Sequence, residues 1–216
     1  MKKKLLSLVL AGAMVASTSV SAFADDTHEV TSYEGTANVT VDGSVNADDD
    51  TPATGTVSVT VPTALSFQVS TKGVVTGTNI TVTNNGMGDI DVYADRFTDN
   101  NPTSGITVKK KSELQQDSDT RDNVVLWLRG NTSSIAYFKT EEDSSQNNNG
   151  VYDETGSNQS GGIKVSSISG KGKGVNTDKL YLEGYGAKEE LNDETAKKNG
   201  ITDKFTLVLK IKKHDN

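Results

Sequence analysis

The sequence predicts an all-β protein, an antiparallel β-sandwich of Ig-like or jelly-roll-like build with at most one short surface helix. Three observations predict it. Apolar and polar residues alternate with a period of two through most of the chain, and the alternating positions are filled by β-branched Val, Ile and Thr. Turn-forming clusters of Gly, Asn, Asp and Ser recur every ten or so residues, the spacing of short strands in sandwiches. Finally, only 33% of the 216 residues are hydrophobic, which suits sheets that bury one face and solvate the other.

The chain opens on an address. Lys2, Lys3 and Lys4 form a basic start, Leu5 to Val15 is an apolar run broken by Ser7 and Gly12, and Ala22-Phe23-Ala24 supplies a small-x-small cleavage pattern. Residues 1–24 therefore read as a secretory signal peptide. The apolar run of about 11 residues is short of the roughly 20 that span a bilayer, so no transmembrane anchor is expected. Removing the three leader lysines leaves the exported chain more acidic than its formal charge of -7. That balance repels phosphate backbones, and no dense basic stripe compensates, so nucleic acid is an improbable partner. The chain has no cysteine, which removes a disulfide framework, thiol catalysis and thiolate zinc sites.

Residues 25–54 read as an N-terminal strand followed by an acidic linker. Gly35-Thr36-Ala37-Asn38-Val39-Thr40-Val41 and Gly55-Thr56-Val57-Ser58-Val59-Thr60-Val61 agree at five of seven positions. Between them, Asp42 to Thr54 holds Asp48-Asp49-Asp50 and should be extended and flexible. The near copies either resemble each other by chance, pair side by side, or mark a strand that fits the same slot in another subunit. Strand addition of that last kind draws affinity from main-chain hydrogen bonds, and a head-to-tail exchange makes an open filament.

Residues 55–216 then form the sandwich domain. Val57, Val59 and Val61 share one face, and Leu65, Phe67 and Val69 repeat the alternation after Pro62, predicting a long strand bent at a proline that needs no ladder donor. Ile80 and Val82, the turn residues Asn84-Asn85-Gly86, then Ile90 and Val92 predict a hairpin. Short strands follow at Ile106 to Val108, Val124 to Leu128, Ile135 to Phe138, Ile163 to Ile168 and Leu180 to Leu182. Residues 140–162 read as one long mobile loop. Ala187 to Asn199, stopped by Gly200, is the only helical candidate. Phe205, Leu207, Leu209 and Ile211 make the last strand, expected at the centre of a sheet. Trp127 lies in a five-residue apolar run and is expected in the core.

Catalytic patterns are sparse. The two histidines, His28 and His214, lie near the ends of the exported chain, where frayed backbone does not orient an imidazole. No H-E-x-x-H, G-x-S-x-G, P-loop or dinucleotide pattern occurs. Gly170-Lys171-Gly172-Lys173-Gly174 lacks a following helix and reads as a basic turn. Glu113, Glu141, Glu142, Glu183, Glu189, Glu190 and Glu194 could pair as glycosidase acids, but most sit in charged, solvated runs. No enzyme is expected. Calcium is the one ion with a case: Asp117, Asp119 and Asp122 place oxygen ligands at close spacing in a loop, without the glycine and distal glutamate of an EF-hand. Tyr137, Phe138, Tyr181 and Tyr185 could stack on sugars or simply pack the sheets. A Lys to Asn isopeptide bond, with Glu183 as its acid, has the wrong spacing.

Val57-Ser58-Val59-Thr60-Val61-Pro62-Thr63-Ala64-Leu65-Ser66-Phe67 resembles the V-x-V-P-x-x-L-x-F strand of secreted Gram-positive surface proteins, including WxL-like and related β-sandwich families. Ile80 to Gly86 with Ile90-Asp91-Val92, and the closing Phe205 to Lys210, are similar to segments of the same proteins. The single tryptophan stands in Trp127-Leu128-Arg129, so the Trp-x-Leu motif itself has no counterpart. The resemblance implies an exported cell-surface or extracellular-matrix protein of structural or adhesive role. Two functions are expected from these readings: a fibre subunit that contacts other copies or other surface proteins by strand exchange, or a monomeric adhesin module that binds cell-wall or host glycans.

Overall fold

A computed structural model describes residues 27–30, 37–39, 41–43, 57–100, 105–140 and 148–214, with side chains from residue 57 onward apart from that of Lys198. Residues 1–24, read above as a leader, and most of the 42–54 stretch lie outside the described residues. The strands are β1 (Thr27–Val30), β2 (Ala37–Val39), β3 (Val41–Gly43), β4 (Val59–Pro62), β5 (Phe67–Val69), β6 (Val75–Gly77), β7 (Asn79–Asn84) and β8 (Ile90–Asp99). They continue with β9 (Thr107–Val108), β10 (Asn123–Arg129), β11 (Ile135–Phe138), β12 (Val151–Tyr152), β13 (Ile163–Ile168) and β14 (Thr177–Gly186). One short helix among the described residues, α1 (Glu194–Asn199), precedes β15 (Phe205–Lys213).

The protein is all-β and almost wholly antiparallel; among the described strands β9 runs parallel beside β10, and an isolated parallel bridge joins Thr120 to Glu189. The larger sheet runs β1-β4-β7-β14-β10-β11-β12, and a second runs β13-β8-β15. Alternation decides which side chains meet between them. Val59, Val82, Leu126, Leu128, Phe138, Leu180 and Leu182 of the larger sheet join Ile90, Val92, Ala94, Val165, Leu207, Leu209 and Ile211 of the smaller in one continuous core. This is the arrangement expected of a β-sandwich.

Several elements differ from the sequence expectation, each for a local reason. The 79–92 segment is not a hairpin: β7 belongs to the larger sheet and β8 to the smaller, so the chain crosses the core at this corner. Asn84 makes the crossing possible. Its side chain is fully buried; Nδ2 donates to the carbonyls of Gly88 at 2.7 Å, Ile168 at 3.3 Å and Ser169 at 3.2 Å, and Oδ1 accepts from Gly86 N–H at 3.0 Å. One amide thus satisfies backbone groups that a two-stranded hairpin would pair through its ladder.

The strand expected to bend at Pro62 is two strands. β4 ends at Pro62, and β5 pairs with β6 in a separate small hairpin. β15 pairs only with β8 among the described strands, so β8 is the centre of its sheet and β15 flanks it. The lysines on the outward positions of β15 signal a solvated face, which is a different property from a central position. The segment 140–162 contains β12, whose Val151 and Tyr152 are buried. α1 is six residues long, capped by Asp193, whose carboxylate accepts Ala196 N–H at 2.8 Å, and it stops at Gly200 as expected.

Candidate functional site: a strand edge and an aromatic face

The larger sheet has two edges. At one, β1 lies antiparallel on β4, pairing Thr27 with Pro62, His28 with Val61, Glu29 with Thr60 and Val30 with Val59. Val30 and Val59 are direct partners, a geometry that a two-residue hairpin could close, yet residues 31–58 run between them. Behind β1, β4 pairs with β7 at Val59 with Asn84 and Thr60 with Thr83, and the Asn85 and Gly86 N–H groups beyond β7 donate to the Ser58 carbonyl. The near copy at 35–41, expected as one strand, is broken: β2 turns back on β3, pairing Ala37 with Gly43 and Val39 with Val41 in a sheet of their own. The two copies are therefore not neighbours, and the segment on the β4 edge is Thr27–Val30.

At the other edge, β12 is tied down from every side. Asn149 Nδ2 donates to the carbonyls of Asp95 and Gln159, and its Oδ1 accepts from Val151 N–H and Asn158 Nδ2. Asn148 Nδ2 reaches the Tyr152 hydroxyl at 2.6 Å, and Phe97 N–H donates to the Asn149 carbonyl at 2.8 Å. Gly150 has φ +71, and a Cβ there would run into the Phe97 carbonyl, so the chain needs glycine at this point. Asp153 closes the following turn. The Thr155 hydroxyl foremost, with Ser157 N–H and Gln159, holds its carboxyl below the ordinary range.

The outer face of the larger sheet carries a second apolar cluster. The register lines up Tyr152, Tyr137, Trp127 and Glu183 across β12, β11, β10 and β14, with Ile135, Arg129 and Tyr181 in the next row. Trp127 is therefore not in the main core: it sits half-buried on the outer face against Val125, Tyr137 and Tyr152. Its ring lies 5.6 Å from that of Tyr137 and 6.1 Å from that of Tyr185. Glu183 accepts from Trp127 Nε1 at 3.1 Å and from Arg129 Nε and Nη2, both at 2.7 Å, and the Arg129 guanidinium covers the Tyr181 ring. The Arg129 fork, chiefly, holds the Glu183 carboxyl below its usual value. Burial raises the Tyr137 and Tyr185 hydroxyls above theirs. Of the four aromatic residues proposed for stacking, Phe138 is fully within the main core and Tyr137 is only 8% exposed; Tyr181 and Tyr185 remain half-buried. Trp127 Nε1, the Arg129 fork and the Glu183 carboxylate are thus partnered within the patch itself.

The acidic loop does not gather its carboxylates. Asp119 accepts from Gln115 N–H at 2.8 Å and Lys109 Nζ at 3.0 Å, the backbone bond foremost in lowering its pKa. Asp117 pairs with Lys188 at 2.8 Å and Asp122 accepts from the Asn123 amide at 3.0 Å. No group of three or more His, Asp or Glu side chains among the described residues is placed to hold a metal ion. Glu113 pairs with Lys139 and Glu194 with Lys197, while Glu141 and Glu142 lie outside the described residues.

His214 is not frayed. Its backbone N–H donates to the Asp89 carbonyl at 2.9 Å, and its Nδ1 lies 2.9 Å from Asp91 Oδ1. Asp91 is a buried hub that also accepts the Ser167 hydroxyl at 2.6 Å and faces Lys164 at 3.4 Å. Burial pushes its carboxyl up, but the Ser167, His214 and Lys164 contacts together outweigh burial and hold it below the ordinary value. Ser167 bonds to Asp91, leaving no serine on the far nitrogen of the imidazole in a triad order. Alternation in Ile90-Asp91-Val92 places Asp91 on the outer face of its sheet, and nothing local shows that Ser167, Lys164 and His214 would cover it there.

No family model, curated protein or solved structure matches the chain. No helix among the described residues is long and apolar enough to cross a membrane.

Proposed function

We propose that this is an exported, non-enzymatic structural or adhesive protein of the bacterial surface, a subunit that joins other copies by exchanging its N-terminal strand. The observation that carries the reading is the β1 edge. A four-residue strand, Thr27–Val30, covers β4 at the end of a connection that spans residues 31–58. Closing a loop of that length costs about 2 kcal/mol more than closing a two-residue turn. Four residues of edge ladder return little to offset it, and a long tether sets an effective concentration of only about millimolar or less. Neighbouring copies held on a surface reach such concentrations, so their β1 strands compete for the same edge. Because the donor lies at one end of the chain and the acceptor edge elsewhere, each copy gives one strand and takes another, which propagates as a filament.

The leader-like 1–24 segment supports export, and the resemblance of the Val57 to Phe67 segment to Gram-positive surface proteins supports the location. The glycan-binding alternative is weakened by the outer face, where Trp127, Arg129 and Glu183 satisfy one another. Size-exclusion chromatography with light scattering over a range of concentrations tests the proposal. The chain from Asp25 onward forms a ladder of oligomers that grows with concentration, and the chain lacking residues 25–30 runs as a folded monomer. Assembly that survives the deletion overturns strand exchange through β1.

A further inference from the structure

We propose that one end of the molecule is a docking tip for an anionic phospholipid surface. Three separate segments converge there. The loop 170–176 is fastened to the turn after β7: Lys171 N–H donates to the Gly86 carbonyl at 2.7 Å, Gly170 N–H to the Asp89 carboxylate at 2.8 Å, and Asn84 N–H to the Asn176 carbonyl at 2.8 Å. The end of β15 arrives beside them, with Lys213 opposite Ile90 and His214 N–H on the Asp89 carbonyl.

This end brings together two exposed large apolar side chains and three exposed lysines. Of the three large apolar side chains that stand more than half exposed, Met87 at 60% and Val175 at 75% are both here. Lys171, Lys173 and Lys213 are exposed around them, and none makes an ion pair among the described residues, whereas six other lysines do. The nearby acids are already engaged: Asp89 holds Gly170 N–H, and Asp91 holds Ser167, His214 and Lys164. Asp215 lies outside the described residues.

The chemistry of the two features selects the partner. Lysines near an anionic leaflet each strengthen binding by about fivefold, and exposed apolar side chains gain only where they can leave water. A soluble polyanion would use the lysines and ignore Met87 and Val175. A bilayer uses both, with the lysines at the phosphates and the apolar side chains at the acyl boundary. Gly88 and Gly172, where an added Cβ would meet nothing within 4 Å, keep the two loops bare for that approach. The rest of the protein, acidic overall, is repelled by the same surface, so only this end can meet it.

Sedimentation with large unilamellar vesicles tests the tip. At low salt the intact protein is expected to bind phosphatidylglycerol-containing vesicles and not pure phosphatidylcholine vesicles. Lys171→Gln with Lys173→Gln lowers that binding by about 25-fold, and Met87→Ser with Val175→Ser lowers it by about fivefold with all lysines in place. Lys72→Gln with Lys204→Gln, away from the tip, has no such effect. All these side chains are exposed or half-exposed, and unchanged circular dichroism establishes that the variants are folded. Failure to bind anionic vesicles at low salt overturns the proposal. So does binding that is indifferent to the Met87 and Val175 changes and is fully competed by soluble polyphosphate, which would assign the tip to a polyanion.

Discussion

The two edges of the larger sheet solve the same problem in opposite ways. An uncovered edge offers a row of unpaired amides and carbonyls to any passing strand. The β12 edge is sealed by side-chain bonds: Asn148, Asn149 and Asn158 bind one another and the β12 backbone within a dozen residues, and Asn149 also reaches across to the β8 backbone at Asp95. The β1 edge is covered by four residues from the far end of a long connection. The contrast teaches that closure by itself does not distinguish a finished edge from an exchangeable one. The length of chain that delivers the covering strand, and the side-chain bonds that fix it, make the distinction.

Breaking the sealed edge should have the largest effect. Gly150→Ala meets both the positive φ and the Phe97 carbonyl, and a loss of about 3 kcal/mol is expected in urea denaturation. Asn84→Ala, at the corner between the sheets, strands buried backbone groups and should cost about 2–3 kcal/mol in the same measurement. Removing β1 should cost the folded monomer only about 1 kcal/mol, because a short edge strand on a long tether has little net stability to lose. A loss as large as that of Gly150→Ala would mean that β1 is as permanent as β12.

The acid limb sharpens the picture of the smaller sheet. The folded Asp91 carboxyl lies below its ordinary value of 3.8, so its contribution is fully present above that value and is lost as pH falls through the depressed one. Melting temperature measured from about pH 6 down to about pH 2.5 should therefore fall, and Asp91→Asn should flatten that fall while lowering stability at neutral pH. The smallest effect belongs to the outer face. Arg129 and Glu183 are 43% and 36% exposed at their side chains, and Glu183→Gln should cost under about 1 kcal/mol. It should also shift Trp127 fluorescence, because the carboxylate on Nε1 loses its charge.

Strand positions were legible because alternation survives in sequence. Ile135 to Phe138 and Ile163 to Ile168 were placed at their observed limits, and Gly200 marked the helix stop. What alternation does not carry is the sheet to which a strand belongs. Val82 and Val92 point into the same core from opposite sheets, and the pattern around Asn84-Asn85-Gly86 is the same for a hairpin and for a crossing. Only the buried Asn84 amide distinguishes them. A continuous apolar run around Trp127 implies two covered faces without saying that the second cover is thin. The 148–159 network is not legible because Asn-rich sequence reads as loop, although those amides bind the β12 edge. Position near the end of the chain says nothing of how His214 is held, and Asp91, fixed by long-range contacts, has no local signature.

The central claim is that β1 of one copy seats on β4 of another, and the absence of native cysteine permits a direct test. Opposed residues in an antiparallel pair have Cα atoms about 4.5–5.5 Å apart, within the range a disulfide accepts, and His28 faces Val61 in the register. One population carries His28→Cys, a second carries Val61→Cys, and the two are mixed under mild oxidation, with the linked species identified by mass. The account predicts mixed disulfide dimers that form faster than either like pair. If the mixture stays unlinked while a chain with both substitutions closes entirely within itself, β1 is a permanent part of its own sheet and the exchange mechanism is wrong.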